Sequence, residues 1–588
     1  MTTKLKPVDV VVVGAGLTGT IISKELAETG LQVLCLERGR MLDPQHDFAM
    51  PYAHDELKYH RHSDIVQNLS RETLTFRNNP SELALPMREL GSFKPGECVG
   101  GAAVHWGGQA RRFLPWDFET RSRTETRYGK KQIPDDCTSQ DWGLTYDELE
   151  PYYDQFEHIY GVCGKAGNLN GAIQPGGNPF EGPRTREYPN PPAPRTYVGS
   201  LFANASESLG YSPHPSPSAA MSQPYTNLYR LNLGQCIRGG FCSSHGCATG
   251  AKGSPWSTVL PSLTKHGNVE IRPHANVVKI NLDSSGKRAI GVNYIDAQGR
   301  EFEQPADLVV LCSYTFNNVR LLLLSGIGKP YDPVSNQGTI GRNYSYQTGS
   351  KVTLFFDDNK EFNPFIGGGT LATSIDDFNG DNFDHTKLDF FGGAYVAAQS
   401  PGHTPIRSTP VPSGTPRWGG EWKQNVAKYY RRSFSITLHG GCQSYRSHYL
   451  DLDPTYRYAN GLPLLRMTYD WHENERKMSS YITGKIVEIA KAIGPSKISV
   501  HEPAASRYTI VPYQSTHNIG GAVMGADPAT SVVNKYLQSW DVPNVFVVGG
   551  SAFPQQSANA PTGTIGTLAC WAADAIKEHY LKKPGPIA

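Results

Sequence analysis

Four consecutive valines, Val10 to Val13, run straight into Gly14-Ala15-Gly16-Leu17-Thr18-Gly19. No other stretch restricts the fold of this chain so strongly. A β-branched run of that length reads as a buried strand, and the residues after it, Thr20 to Thr29, have the Ala, Ile, Leu, Lys and Glu character of a helix. Strand, G-x-G-x-x-G turn and helix in this order form a dinucleotide fingerprint. Gly14 permits the tight turn, Gly16 lets the backbone approach a pyrophosphate, and Gly19 lets helix and strand pack closely. A second apolar run, Gln32 to Leu36, ends on Glu37, a carboxylate placed to accept hydrogen bonds from a ribose. A purely structural glycine turn would need none of the other parts.

At 588 residues the chain is too long for one ordinary core, so two domains are expected, and they can be interleaved. A net charge of +2 gives no reason to expect nucleic acid or a strongly acidic partner. Gly 60 and Pro 43 against 19% charged residues favour turns and long excursions over a helical bundle. No apolar run reaches membrane-spanning length, and the N-terminus enters its first strand almost at once. The expectation is therefore a soluble chain with no direct membrane span and no export signal of its own.

Along the chain, Arg40 to Glu89 reads as loop and short helix. The segment Cys98 to Gly108 places His105 and Trp106 between two glycine pairs, which lets the backbone pass close to something flat, although a packed structural turn would look the same. Thr145 with Glu148 forms a capping box for a helix to about Tyr160. From Asn168 to Pro224, Pro, Gly, Asn and Ser suggest a long surface connection. Val269 to Leu282 and Ala289 to Tyr294 read as paired strands, Ala306 to Cys312 as a buried strand, and Asn317 to Ser325 as a helix. Between Tyr344 and Tyr508, alternating runs at Lys351–Phe356, Lys387–Tyr395 and Ser433–His439 suggest an antiparallel sheet, interrupted by a helix over Asn474–Ala492. The tract from His517 through Val545–Gly550 to a helix beginning near Thr562 reads as a return to the first sheet.

Ten cysteines scattered evenly would put about 0.2 in any window of twelve, yet Cys236, Cys242 and Cys247 share one. The solitary Cys35, Cys98, Cys312 and Cys570 read as buried free thiols. For the cluster, spacing alone leaves three readings: thiolates wrapped around an iron–sulfur cluster, a zinc site with His245 as fourth ligand, or a disulfide with one spare thiol.

Taken together, the fingerprint, the Gly100-Gly101 to Trp106 segment, Asn317 to Gly328, Gly338 to Asn343 and the tract from His517 to Trp571 resemble the glucose-methanol-choline (GMC) oxidoreductase family. The likeness is strongest to flavoprotein subunits of bacterial membrane-bound dehydrogenases of the gluconate 2-dehydrogenase and fructose dehydrogenase type. It implies an α/β plus α+β fold in which a Rossmann-like FAD-binding domain, residues 1–343 and 509–588, is interleaved with an antiparallel-sheet substrate domain, residues 344–508. The cysteine loop, 236–247, would lie in the first part.

The resemblance also implies roles. FAD would lie along Gly14, Gly16, Gly19, Glu37, Gly101, Gly550, Ser551 and Thr562, with His105 at a position where some relatives attach it covalently and others do not. Gly550 replaces an Asp found in many members. His517 falls at the catalytic-base position and Asn559 at its partner position; an imidazole can take a hydroxyl proton near neutral pH, whereas an amide can only orient the hydroxyl. Some relatives carry a further cysteine near Gly239; the three thiols here suit a 3Fe-4S cluster. The implied enzyme is an FAD-dependent dehydrogenase oxidising a hydroxyl of a sugar, polyol or sugar acid. It would pass electrons through the cluster to a cytochrome c subunit and travel with a small subunit to the periplasmic face of the inner membrane. The alternatives are a pyranose or glycoside 3-oxidase using oxygen, and a cytoplasmic location.

Overall fold

The computed structural model describes residues 2–48, 66–69, 73–88, 93, 95–240, 242–366, 371–400, 409–511 and 515–587. Much of the loop expected between Arg40 and Glu89 lies outside them.

The valine run forms the strand Val8–Val13, with Val10 to Val12 fully buried. It pairs in parallel with Val33–Leu36 on one side and with Glu301–Leu311 on the other. Val269–Arg272 adds a further parallel strand outside Val33–Leu36, and Val545–Val547 joins the end of Glu301–Leu311. Strands covered on both faces read as continuous apolar runs, which is why this sheet stands out in the sequence. Two positions in the turn demand glycine. Gly14 adopts φ +98°, and a Cβ there would lie 2.6 Å from the Cys312 carbonyl oxygen; at Gly19 it would lie 1.8 Å from the Gly14 oxygen. The helix Leu17–Ala27 follows at once and packs against Thr562–Ala575, so the two ends of the chain share one layer. The capped helix Tyr146–Tyr160 lies against Thr562–Ala575 and stops at Gly161 in the left-handed region.

The run from Val269 to Leu282 is two strands. Val269–Arg272 belongs to the parallel sheet, and Asn276–Leu282 turns away to pair antiparallel with Ala289–Ile295.

A second, six-stranded antiparallel sheet runs in the order Lys497–His501, Thr348–Phe355, Ser433–Gly440, Ala394–Gln399, Ala372–Ile375 and His214–Pro215. One face is covered by the 21-residue helix Glu473–Ile493, whose Met478, Ile482, Ile486 and Ile489 recur at helical spacing against Val352, Leu354, Ile436 and Val396. Two expectations need correcting here. Lys387 to Gly393 is not strand; pairing begins at Ala394. The supposed surface connection before Pro224 contains the helix Tyr197–Ser208, capped by the Thr196 hydroxyl, which buries Val198, Phe202 and Ala205 on this second core. Flanking prolines and glycines hid twelve residues of amphipathic helix. Because successive strand residues alternate in direction, Tyr395 and His439 point away from the core that Val396 and Leu438 enter. That opposite face meets Gln109, which accepts from the Tyr395 hydroxyl, and Arg111, whose guanidinium lies over the Tyr395 ring.

Candidate active site

A cavity of about 420 Å³ runs between the two sheets. Its nucleotide end is made of backbone. Gly14, Gly16 and Glu37 line it. The Glu37 carboxylate accepts from the Ala15 N–H at 2.9 Å and the Gly39 N–H at 2.7 Å, and burial raises its pKa despite both bonds. Side chains at Gly16 or Gly549 would stand in open space, since a Cβ there meets no atom closer than 3.9 Å or none within 4 Å respectively. A groove bordered by glycines, with a helix N-terminus behind it, fits a pyrophosphate. Gly19 lies one turn deeper, as the packing contact between helix and strand.

Farther along, Gly101 and His105 line the cavity together with Trp106, whose indole donates to the Gly253 carbonyl at 2.8 Å. Gly550 and Thr562 also line it. Ser551 stands behind it, accepting from the Asn318 amide at 3.0 Å.

His517 lines the far end. It immediately precedes Asn518–Ile519, which pairs antiparallel with Ser345–Tyr346 and so brings Gln347 alongside. The Gln347 Oε1 is 2.5 Å from His517 Nδ1 and 3.3 Å from Nδ1 of His439, which the second sheet supplies to the same cavity. Burial depresses the His517 imidazole to about 4. Burial, with His517 and Arg111 nearby, holds His439 at about 3. Both rings are neutral at physiological pH. Asn559 is set back: it is 1% exposed, its amide N–H donates to the Arg112 carbonyl at 2.8 Å, and its Oδ1 accepts from Asn379 at 3.2 Å. Its neighbours Ala560, Pro561 and Thr562 form the wall. Gln347, His439, Tyr395 and Gln109 were not singled out by sequence. The alternation of the Ser433–His439 run marks which residues share a face, but only the sheet register shows what that face meets.

The cysteine loop abuts this cavity. Ser243 and Ser244, between Cys242 and Cys247, line it, and the Ser244 N–H donates to the His105 carbonyl at 2.8 Å. None of the ten cysteines is in a disulfide, so the disulfide reading falls. Beneath the loop, the buried Lys252 ammonium donates to the carbonyls of Trp106, Cys242 and His245, each at 2.8 Å. Burial lowers the Lys252 pKa, and the thiolate forms of Cys242, Cys247 and Cys236 act against that shift. Among the described residues no three metal-binding side chains converge on a single-ion position, and the His245 Nδ1 is engaged with the Ser243 carbonyl at 3.0 Å. A cluster makes a different demand, because its ligands attach to separate irons and surround a volume.

The fold and this cavity define an FAD-dependent oxidoreductase that acts on CH–OH groups. GMC oxidoreductase domain patterns match residues 140–348 and 448–569. Over 589 aligned residues the chain is 47% identical to the gluconate 2-dehydrogenase flavoprotein of Pantoea cypripedii, covering 99% of this chain and 96% of that protein. It is 27% identical over 601 residues to the fructose dehydrogenase large subunit of Gluconobacter japonicus, covering 97% of each. The solved structure of pyridoxine 4-oxidase from Mesorbium loti shares the fold, with a TM-score of 0.60 at 16% identity over 97% of this chain and 99% of that one. The chain belongs to the GMC oxidoreductase family. No helix among the described residues is long and apolar enough to cross a membrane.

Proposed function

We propose that this chain is the catalytic flavoprotein of a sugar-acid dehydrogenase, oxidising a secondary hydroxyl of an aldonate such as gluconate. The observation that carries this reading is the near end-to-end 47% identity to a gluconate 2-dehydrogenase flavoprotein. The polar wall of Gln109, Tyr395, His439 and His517 supports it, since a polyhydroxylated substrate needs such partners.

FAD, when bound, supplies the acceptor for the hydrogen that leaves the substrate carbon with its electron pair. Gly14, Gly16, Glu37, Gly101, Gly550 and Thr562 would hold it, with Gly19 and Ser551 bracing the turns behind. His105 lies on the same wall and is the candidate for a covalent link. His517 takes the hydroxyl proton as the carbonyl forms. Its depressed pKa keeps the ring unprotonated and available at neutral pH. Asn559 acts from behind the wall, fixing the backbone that carries Ala560 to Thr562 through its bond to Arg112.

The loop thiols Cys236, Cys242 and Cys247 would hold a 3Fe-4S cluster, a one-electron carrier suited to delivering electrons to a cytochrome c subunit. Three features favour the assignment: the loop touches the cavity wall, its cysteines are not in disulfides, and a buried lysine stands beneath it as a counter-charge. With a small subunit and a cytochrome as companions, the chain would work at the periplasmic face of a bacterial inner membrane. The test is purification followed by assay with gluconate and a dye acceptor, alongside iron and acid-labile sulfide analysis of the wild type and Cys236→Ser. Dye reduction by gluconate, little peroxide, and iron lost only in the variant are expected. Stoichiometric peroxide from an iron-free protein would overturn the electron-transfer part, and indifference to every aldonate would overturn the substrate class.

A further inference from the structure

Gln347 stands where the two sheets meet. It follows Ser345–Tyr346, paired to the strand after His517, and precedes Thr348–Phe355, paired to the strand that carries His439. Its amide has only one orientation that satisfies its surroundings. The Nε2 end donates to the Ala558 carbonyl at 2.6 Å, so Oε1 faces the two imidazoles. A carbonyl oxygen can only accept. Each histidine therefore presents a protonated Nδ1 to Gln347, and a neutral ring that carries its proton on Nδ1 has a bare Nε2. The second imidazole is itself held. Tyr395, its direct cross-strand neighbour, stacks on His439 with centroids 4.8 Å apart and planes 12° from parallel. The Arg111 guanidinium lies over the Tyr395 ring at 4.0 Å, and the Tyr395 hydroxyl donates to Gln109 at 3.1 Å.

Resting on His517 as the base, we infer that Gln347 is a positioning residue that fixes both rings as Nδ1–H tautomers, giving the cavity two imidazole acceptors for two hydroxyls of one substrate. His517 takes the proton of the reacting hydroxyl. His439 accepts a hydrogen bond from a neighbouring one and selects substrates with adjacent hydroxyls over simple alcohols.

Two measurements test this on the FAD-loaded protein. Nitrogen-15 spectra of histidine-labelled enzyme, assigned with His517→Ala and His439→Ala, read the tautomers without any substrate. Protons on Nδ1 of both rings are expected, and a proton on Nε2 of either would overturn the inference. In anaerobic flavin reduction, Gln347→Leu should slow the wild-type rate roughly ten- to hundredfold with FAD retained. Gln347→Glu keeps an acceptor but favours the imidazolium, so the acid limb of its rate profile should move to higher pH. Against 3-deoxygluconate, the wild type should lose about three- to tenfold relative to gluconate, as one hydrogen bond allows, and His439→Ala should lose that discrimination. Equal discrimination in both proteins, or unchanged Gln347 variants, would contradict the inference. If gluconate fails in the wild type while the tautomers are as stated, the substrate reading falls and Gln347 keeps its role.

Discussion

The two ends of the cavity are built on different principles. The nucleotide end is main chain: glycines, N–H groups and one carboxylate, with its turn and its carboxylate both within the first 40 residues. The other end is side chains, with Gln347, Tyr395, His439 and His517 drawn from four separate segments and brought together by strand register. A cofactor of fixed shape is held by a local motif, whereas a substrate site is assembled by tertiary pairing and can change without disturbing the motif. Damage at the first end should remove the cofactor. Damage at the second should leave the cofactor and remove the rate.

The largest separation between the two ends is expected from Gly14→Val. A Cβ at that position would press into the Cys312 carbonyl from a left-handed backbone, so the purified protein should lack FAD altogether by absorbance. Retention of FAD would contradict a main-chain-built nucleotide end. Next comes Arg112, buried in ion pairs with Glu157 and Glu150 behind the wall that Asn559 fixes. Arg112→Leu should cost about 3–5 kcal/mol of stability by leaving buried carboxylates short of a partner, measured by denaturant unfolding. A change below 1 kcal/mol, roughly the worth of a surface pair, would make the network incidental. A pH dependence acts across both ends. His214 and His517, at about 4, and His439 and His448, at about 3, are all depressed by burial. The unfolded chain binds these protons near pH 6.5 and the folded one does not. The stability these rings contribute should therefore hold above about 6.5 and be lost as pH falls toward 4, offset in part by Asp117 and Glu181, whose burial-raised pKa values of about 7 favour the folded state on acidification. An acid-induced fall in Tm that is unchanged in His448→Gln and His214→Gln would contradict the burial of these rings.

Legibility in the sequence followed the same divide. The valine strand, the glycine turn and the Thr145–Glu148 cap could be read because each is decided by residues close together in the chain. His517 and Asn559 stood out through family resemblance; His517 lines the cavity, whereas Asn559 is buried behind the wall formed by Ala560 to Thr562. Gln347 carried no signal, since a glutamine between two strands is ordinary until both strands are paired. Tyr197–Ser208 was lost in proline-rich surroundings although Val198, Phe202 and Ala205 fall on one helical face. Lys252 had no local mark either. Its meaning depends on carbonyls supplied by Trp106, Cys242 and His245.

The central claim is that a hydroxyl bound at the histidine end loses its proton to His517 and its carbon-bound hydrogen to a flavin held at the glycine end. Single-turnover reduction of the bound flavin by gluconate, followed anaerobically in the wild type and in His517→Ala, tests it most directly. The account predicts full flavin content in both proteins and a rate roughly two to four orders of magnitude lower in the variant. Equal rates with FAD bound would contradict it.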